Sequence, residues 1–289
     1  MDGRTSATVV AATWAIAVLV VTASVLGLVD PGVYAAETDN WAAQARGQDI
    51  GNLVAFVLLV ASGHRWVRGS HRAAIVWLGA LLYLVYAYVI YAMAVHFNHL
   101  FLVYVAVLGL SSWAVLLTTN RVRAHDVRVR ARVGAGVPKW PAVVAVAIGV
   151  LFALMWLAEV VPASVSGEPP QSVVEAGLCV NPVHVIDLAI LLPAFVAAGW
   201  LALRGRASGQ FFVGPLLVFS VLMGSSIVAA MVLMTAEGFS GTVPTMVMVS
   251  LVVLASLVAA GRHLASYVEV SEVSDPGHAT RPWSPRATW

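Results

Sequence analysis

Apolar residues along this chain come in long unbroken runs rather than in strict alternation with polar ones. Eight stretches stand out: Ala7–Val29, Asp49–Val67, Ala73–Val95, Leu100–Leu117, Trp140–Val161, Pro182–Leu203, Phe211–Thr235 and Val243–Gly261. Each is close to the roughly 20 residues that a helix needs to cross about 30 Å of hydrocarbon. Backbone inside lipid must satisfy its own hydrogen bonds, and continuous apolar runs do so as helices. The pattern predicts an all-α, polytopic membrane helix bundle with eight transmembrane helices. The first run exceeds the apolar core of a secretory signal, about 7–15 residues, and Arg4 before it is offset by Asp2. It therefore reads as a retained first helix.

Polar positions orient these runs. Arg65, Arg68 and Arg72 lie between the second and third. Arg121, Arg123, Arg128, Arg130, Arg132 and Lys139 lie between the fourth and fifth. Arg204 and Arg206 follow the sixth, and Arg262 follows the eighth. With eight crossings, all of these fall on one side. The opposite connections carry Asp30, Glu37, Asp39, Glu168, Glu175 and Glu237, with Arg46 as their one basic residue. Lys and Arg collect on the cytoplasmic side, so both termini are expected in the cytoplasm and the chain in the plasma or inner membrane. The segment "NRVRAHDVRVRARVGAGVPK" is expected to rest on anionic lipid headgroups of the bilayer rather than on nucleic acid. Residues 1–263 form the expected bundle, and 264–289, rich in Pro and Ser, read as a disordered cytoplasmic tail.

Composition sharpens the exclusions. The chain is 60% hydrophobic and 10% charged, against about 25% charged in an average soluble domain. Mean hydropathy is +0.88, which rules out a soluble globular reading. A single cysteine, Cys179, excludes an intrachain disulfide. The single lysine, Lys139, sits at a span boundary, so a retinal-type Schiff base in a late helix is excluded. There is no Walker A, HExxH or GxSxG motif. The general look of the chain is that of a high-GC bacterial protein.

Two segments resemble each other. "DIGNLVAFVLLVASGHRWVRGS" from Asp49 aligns with "HVIDLAILLPAFVAAGWLALRGR" from His184. Asp49 matches His184, Asn52 matches Asp187, and each segment closes on Arg-Gly. The chain then reads as a possible tandem parallel repeat of two four-helix units, 7–117 and 140–261.

Candidate chemistry follows from these matches. Residues at i and i+3 share a helix face. Ionisable groups at membrane depth face a bundle interior or a water-filled cavity. Asp49 and Asn52, with His184 and Asp187, are therefore expected near the outer starts of helices 2 and 6. There they would serve either as helix-start fixtures or as a shared polar pocket. Gln48 and Asn181 flank the two starts, and Glu159 lies in the last turns of helix 5. The turn "HFNHL" adds His96 and His99. His96, His99, His184 and Asp187 together suit a divalent metal as a possible cofactor. The tyrosines of "YLVYAYVIY" are expected as helix packing or an aromatic wall. The small residues of "SVLMGSSIVAAM" point to close helix approach, and Pro193 and Pro215 to kinks.

The leading functional expectation is a small-solute or ion/proton-linked transporter with an outer-leaflet polar site on helices 2 and 6. One alternative is a membrane-embedded enzyme, with or without a metal, acting on a lipid or isoprenoid substrate. Another is a non-catalytic membrane subunit or sensor. Oligomeric state is left open by the sequence.

Overall fold

A computed structural model describes residues 3–133 and 138–267 of the chain. The side chains of Arg128, Arg130 and Arg132, and everything past Tyr267, lie outside the described residues. The expectations for a lipid-facing arginine segment and a disordered tail fall largely there.

The described chain is all-helical. Its helices are α1 (Gly3–Val29), α2 (Asp39–Val67), α3 (His71–Ala94), α4 (Phe101–Val133), α5 (Trp140–Ser166) and a short α6 (Gln171–Ala176). They continue with α7 (Pro182–Ile186), a π-helical turn (Asp187–Leu191), α8 (Leu192–Leu203), α9 (Ala207–Ala236) and α10 (Thr242–Ala265). The pieces from Pro182 to Leu203 make one crossing. Eight helices among the described residues are thus long and apolar enough to span a bilayer. This is a multi-pass membrane protein in contact with lipid. The expected eight spans are all present.

Three expected boundaries shift and one span is interrupted, each for a physical reason. The second helix starts at Asp39, not Asp49. Thr38 caps it, its hydroxyl accepting from Trp41 N at 3.2 Å, and Asp39 sits favourably at the positive end of the helix dipole. Hydropathy detects the apolar run and misses this polar first stretch. The fourth helix runs on to Val133 through the arginine-rich segment expected as a loop, because straight-chain arginines are good helix formers. The fifth helix carries on past Pro162 to Ser166 and ends on Gly167 in the left-handed region. The sixth span is interrupted by the π turn just before Pro193. Proline has no N–H and clashes with the carbonyl four residues back. The wider turn, with Leu192 N–H donating to Asp187 O, relieves that conflict.

Neighbour relations repeat between the halves. In the first, α1 packs on α2 and α4, and α3 on α2 and α4. In the second, α5 packs on α8 and α10, and α9 on α8 and α10. The halves meet mainly where α9 crosses α2 and α3. The α2–α9 crossing is very close. A β-carbon on Gly47 would lie 2.2 Å from Ala230 Cα, and one on Gly51 2.2 Å from Ser226 Cβ. Glycines four apart facing small residues let two backbones touch, as is common inside membranes. The small residues of the seventh span thus do serve close packing. Helix α3 is the most enclosed, with Trp77, Tyr83, Leu84 and Tyr88 fully buried. Trp77 Nε1 donates to Thr13 Oγ1 of α1 at 2.9 Å, which ties two apolar helices with one satisfied polar contact.

Candidate functional site: a carboxylate on a π turn beside an aromatic cavity

Asp187 opens the π turn and is 6% exposed. Its Oδ2 accepts from Trp156 Nε1 of α5 at 2.7 Å, and its Oδ1 from Tyr86 Oη of α3 at 3.0 Å. An inserted residue in a helix changes the phase of everything beyond it, and such turns are frequent at functional sites. Asp187 lines a cavity of about 300 Å³ between α2, α3, α5, the sixth span, α9 and α10. The walls around it are mostly apolar or aromatic, including Trp41, Ile90, Phe152, Phe195, Phe219 and Met223. Gln48, Asn181, Ser220 and Ser226 add neutral polar groups. Asp187 is the one charged-type side chain in this lining; no Lys, Arg, His or second carboxylate joins it among the described residues.

No family model, curated protein or solved structure matches this chain. The reading of the site therefore rests on its geometry.

Gln48 enters the cavity from α2 as the centre of a polar ladder. It accepts from Ser226 Oγ at 3.1 Å and donates through Nε2 to Tyr83 Oη at 2.5 Å and, weakly, to Asn52 Oδ1 at 3.4 Å. Tyr83 Oη in turn donates to Asn52 Oδ1 at 3.0 Å. The glycines at 47 and 51 bring α9 close enough for Ser226 to reach Gln48. Asn181 both lines the cavity and caps α7, accepting from Val183 N at 2.9 Å.

His184 and Asp187 do share a face, and one side chain of α5 addresses both. The Trp156 indole packs on the His184 ring at 4.7 Å between centroids while its N–H reaches Asp187. His184 Nε2 lies 3.6 Å from Glu159 Oε2, and Glu159 also receives the Ser172 hydroxyl. At 3.6 Å the His184–Glu159 contact is an ion-pair distance rather than a hydrogen bond. His184 thus sits behind Trp156 and lines a second concavity with Cys179 and Glu168, not the cavity of Asp187.

Asp49 takes no part in that cavity lining. Helix α2 carries it well past its first turn, so the helix-start explanation expected for Asp49 and Asn52 does not apply. Asp49 is 1% exposed. Its Oδ2 accepts from Tyr34 Oη at 2.6 Å, and its Oδ1 lies 2.8 Å from Tyr91 Oη. Tyr34 comes from the connection between α1 and α2. Burial, and then the neighbouring Asp49 carboxylate, push the Tyr34 hydroxyl far above the usual tyrosine range, so it remains a proton donor. Gly27 of α1 makes room for the carboxylate: a β-carbon there would lie 2.1 Å from Asp49 Oδ2.

The histidines of the third connection do not join His184 and Asp187. His96 Nδ1 pairs with Glu37 Oε2 at 3.0 Å, and His99 Nε2 with Asp30 Oδ2 at 3.5 Å, both with exposed rings. Among the described residues no three His, Cys, Asp or Glu side chains converge into a group that could hold a metal. The four-residue ligand set expected for a divalent metal is therefore not assembled. Trp156 carries no sequence signal of its own; Tyr91 and Ser226 belong to the tyrosine run and the small-residue run noted in the sequence, where packing is the leading expectation. The aromatic signal was partly visible in the tyrosine run of α3, and the Gly47/Gly51 spacing was a usable signal for the α2–α9 contact.

Proposed function

We propose that this chain is a membrane carrier for a small organic solute, with the cavity beside Asp187 as its binding site. The observation that carries this reading is a single buried carboxylate, placed on a π turn, at the wall of an otherwise uncharged and mostly apolar and aromatic cavity within the bundle. Small-molecule sites have this make-up: mostly apolar walls, a few convergent polar groups, volumes of about 300 Å³ upward. π turns within helices are frequent at functional sites. The proposed orientation places the arginine-bearing end in the cytoplasm and both termini with it. Asp187, in the second turn of its span, then lies in the outer half of a plasma or inner membrane. The common neighbour order of the two halves supports a tandem repeat. The registers are less equal, since Asp49 stands well inside α2 whereas His184 stands in the first turn of α7.

Flux decides the matter. Proteoliposomes containing the full chain are assayed for uptake across a panel of small organic amines, alcohols and acids. Saturable uptake of at least one class, abolished by Asp187→Asn in a protein that still folds, is the expected result. Uptake indistinguishable from empty liposomes across the panel would remove the carrier reading. The apolar walls would also suit an isoprenoid chain held for an enzyme. That second reading predicts a chemically changed product from the same vesicles, and it lacks an acid–base partner for Asp187 within the cavity lining.

A further inference from the structure

We propose that the ligand of the Asp187 cavity is a hydrophobic organic cation: one ammonium group on a compact apolar or aromatic body. The inference deepens the carrier reading, since it names the substrate class of the same site.

Charge is the first argument. A buried carboxylate is costly unless it is paired or well hydrogen-bonded. Asp187 has two neutral donors, Trp156 and Tyr86, and no basic partner in the cavity lining. Its two oxygens offer about four acceptor positions, so about two remain for a ligand. Trp156 fixes the polarity of one oxygen, because an indole N–H donates and never accepts. Asp187 Oδ2 is therefore held as an acceptor, and a ligand that donates hydrogen bonds and carries positive charge completes it.

The walls supply the second argument. Trp41, Tyr86, Tyr91, Phe152, Trp156 and Phe219 all line this cavity. Aromatic faces attract ammonium groups, more so away from water. Most of the remaining surface is aliphatic, with Ile148, Met223 and Val249 among it, and its polar groups, such as Gln44, Gln48, Asn181 and Ser220, are uncharged. Such walls fit an organic body, and with one carboxylate and no other His, Cys, Asp or Glu among the described lining residues they are a poor match for a bare metal ion, which needs several oxygen ligands. An anion would meet a carboxylate and no counter-charge. A zwitterion would leave its own carboxylate without a basic side chain among the described lining residues.

The test uses three probes with one body and three heads: 4-phenylbutylammonium, 4-phenylbutanol and 4-phenylbutyrate. Each is titrated calorimetrically into the detergent-purified full chain. The expected result is saturable binding of the ammonium at least about tenfold tighter than the alcohol, with no saturable binding of the carboxylate. Asp187→Asn should bring the ammonium down to the level of the alcohol while the alcohol still binds, which shows an intact cavity. Equal affinity for ammonium and alcohol in the wild-type chain overturns the proposal, and that comparison needs no variant to fold. So does an ammonium preference that survives Asp187→Asn. The two readings fail separately. Ammonium binding without ammonium uptake into proteoliposomes retires the carrier and keeps the cation site. Cavity-dependent uptake of neutral or anionic solutes with no ammonium preference retires the cation site and keeps the carrier.

Discussion

Asp49 and Asp187 are both almost wholly buried, at 1% and 6% exposed, and both accept from two aromatic side chains. They differ in who donates and in what lies beyond. Asp49 is closed in by the hydroxyls of Tyr34 and Tyr91 and does not line the Asp187 cavity. A phenol can donate or accept, so those contacts are satisfied with the proton on either partner. Asp187 is held by an indole N–H, which has one polarity, and it faces a cavity. The comparison teaches that burial of a carboxylate does not by itself mark a ligand site. A fixed acceptor with unfilled positions beside a void does. On this view Asp49 holds the first half of the bundle together, and Asp187 meets the solute.

The sharpest way to break the contrast is to remove each carboxylate. Asp49→Ala strands the Tyr34 hydroxyl in a dry interior and should cost about 3 kcal/mol of stability, measured by titration with SDS. Asp187→Ala, beside a cavity that water can enter, should cost about 1 kcal/mol. Equal losses would erase the distinction. Next, Gly27→Val drives a side chain into the Asp49 carboxylate, at an expected cost of about 2 kcal/mol. Most of that penalty should vanish in an Asp49→Ala background, a coupling read from the double-mutant cycle. An additive cycle would mean that Gly27 serves something other than the carboxylate. Trp156→Phe keeps the ring and deletes the obligate donor. It should weaken 4-phenylbutylammonium binding by about 1 kcal/mol with little change in the SDS midpoint. Unchanged binding would mean that Trp156 does not orient Asp187. Smallest of all, Tyr91→Phe should cost roughly 0.5–1 kcal/mol in stability, since Asp49 keeps Tyr34. A loss as large as that of Asp49→Ala would assign the whole structural role to Tyr91.

The crossings were legible because hydropathy is summed locally over some twenty residues and no tertiary partner can reverse it. The charge asymmetry was legible for the same reason. Helix starts were not, as α2 shows: a cap at Thr38 and polar first turns carry no apolar signal. Asp187 stands out in the sequence as an ionisable group at membrane depth, Gln48 and Asn181 as polar residues flanking helix starts, and all three line the cavity. His184 and Glu159 were picked by the same rule, and they pair with each other behind Trp156. Polarity in a span says that a residue faces protein rather than lipid, but not which neighbour it faces. That depends on helix phase and on long-range partners such as Trp156 and Tyr86. The π turn changes the phase within a single span, and nothing short of the three-dimensional chain reveals it.

One hydroxyl belongs to both regions. Tyr91 lines the cavity, and its oxygen lies 2.8 Å from Asp49 Oδ1 and 3.1 Å from Ala45 O. It has one proton to give and two acceptors within reach, so it cannot serve both at once. An occupant that turns Tyr91 toward Ala45 O, a helix carbonyl with a donor of its own, leaves Asp49 Oδ1 to find a different proton. Linkage then runs in both directions: whatever filling the cavity does to the proton balance at Asp49, the proton balance at Asp49 does, by an equal free energy, to filling the cavity. In the proposed carrier, that one rotatable bond between an occupied cavity and a buried acid would be the minimal wiring for driving one gradient with another.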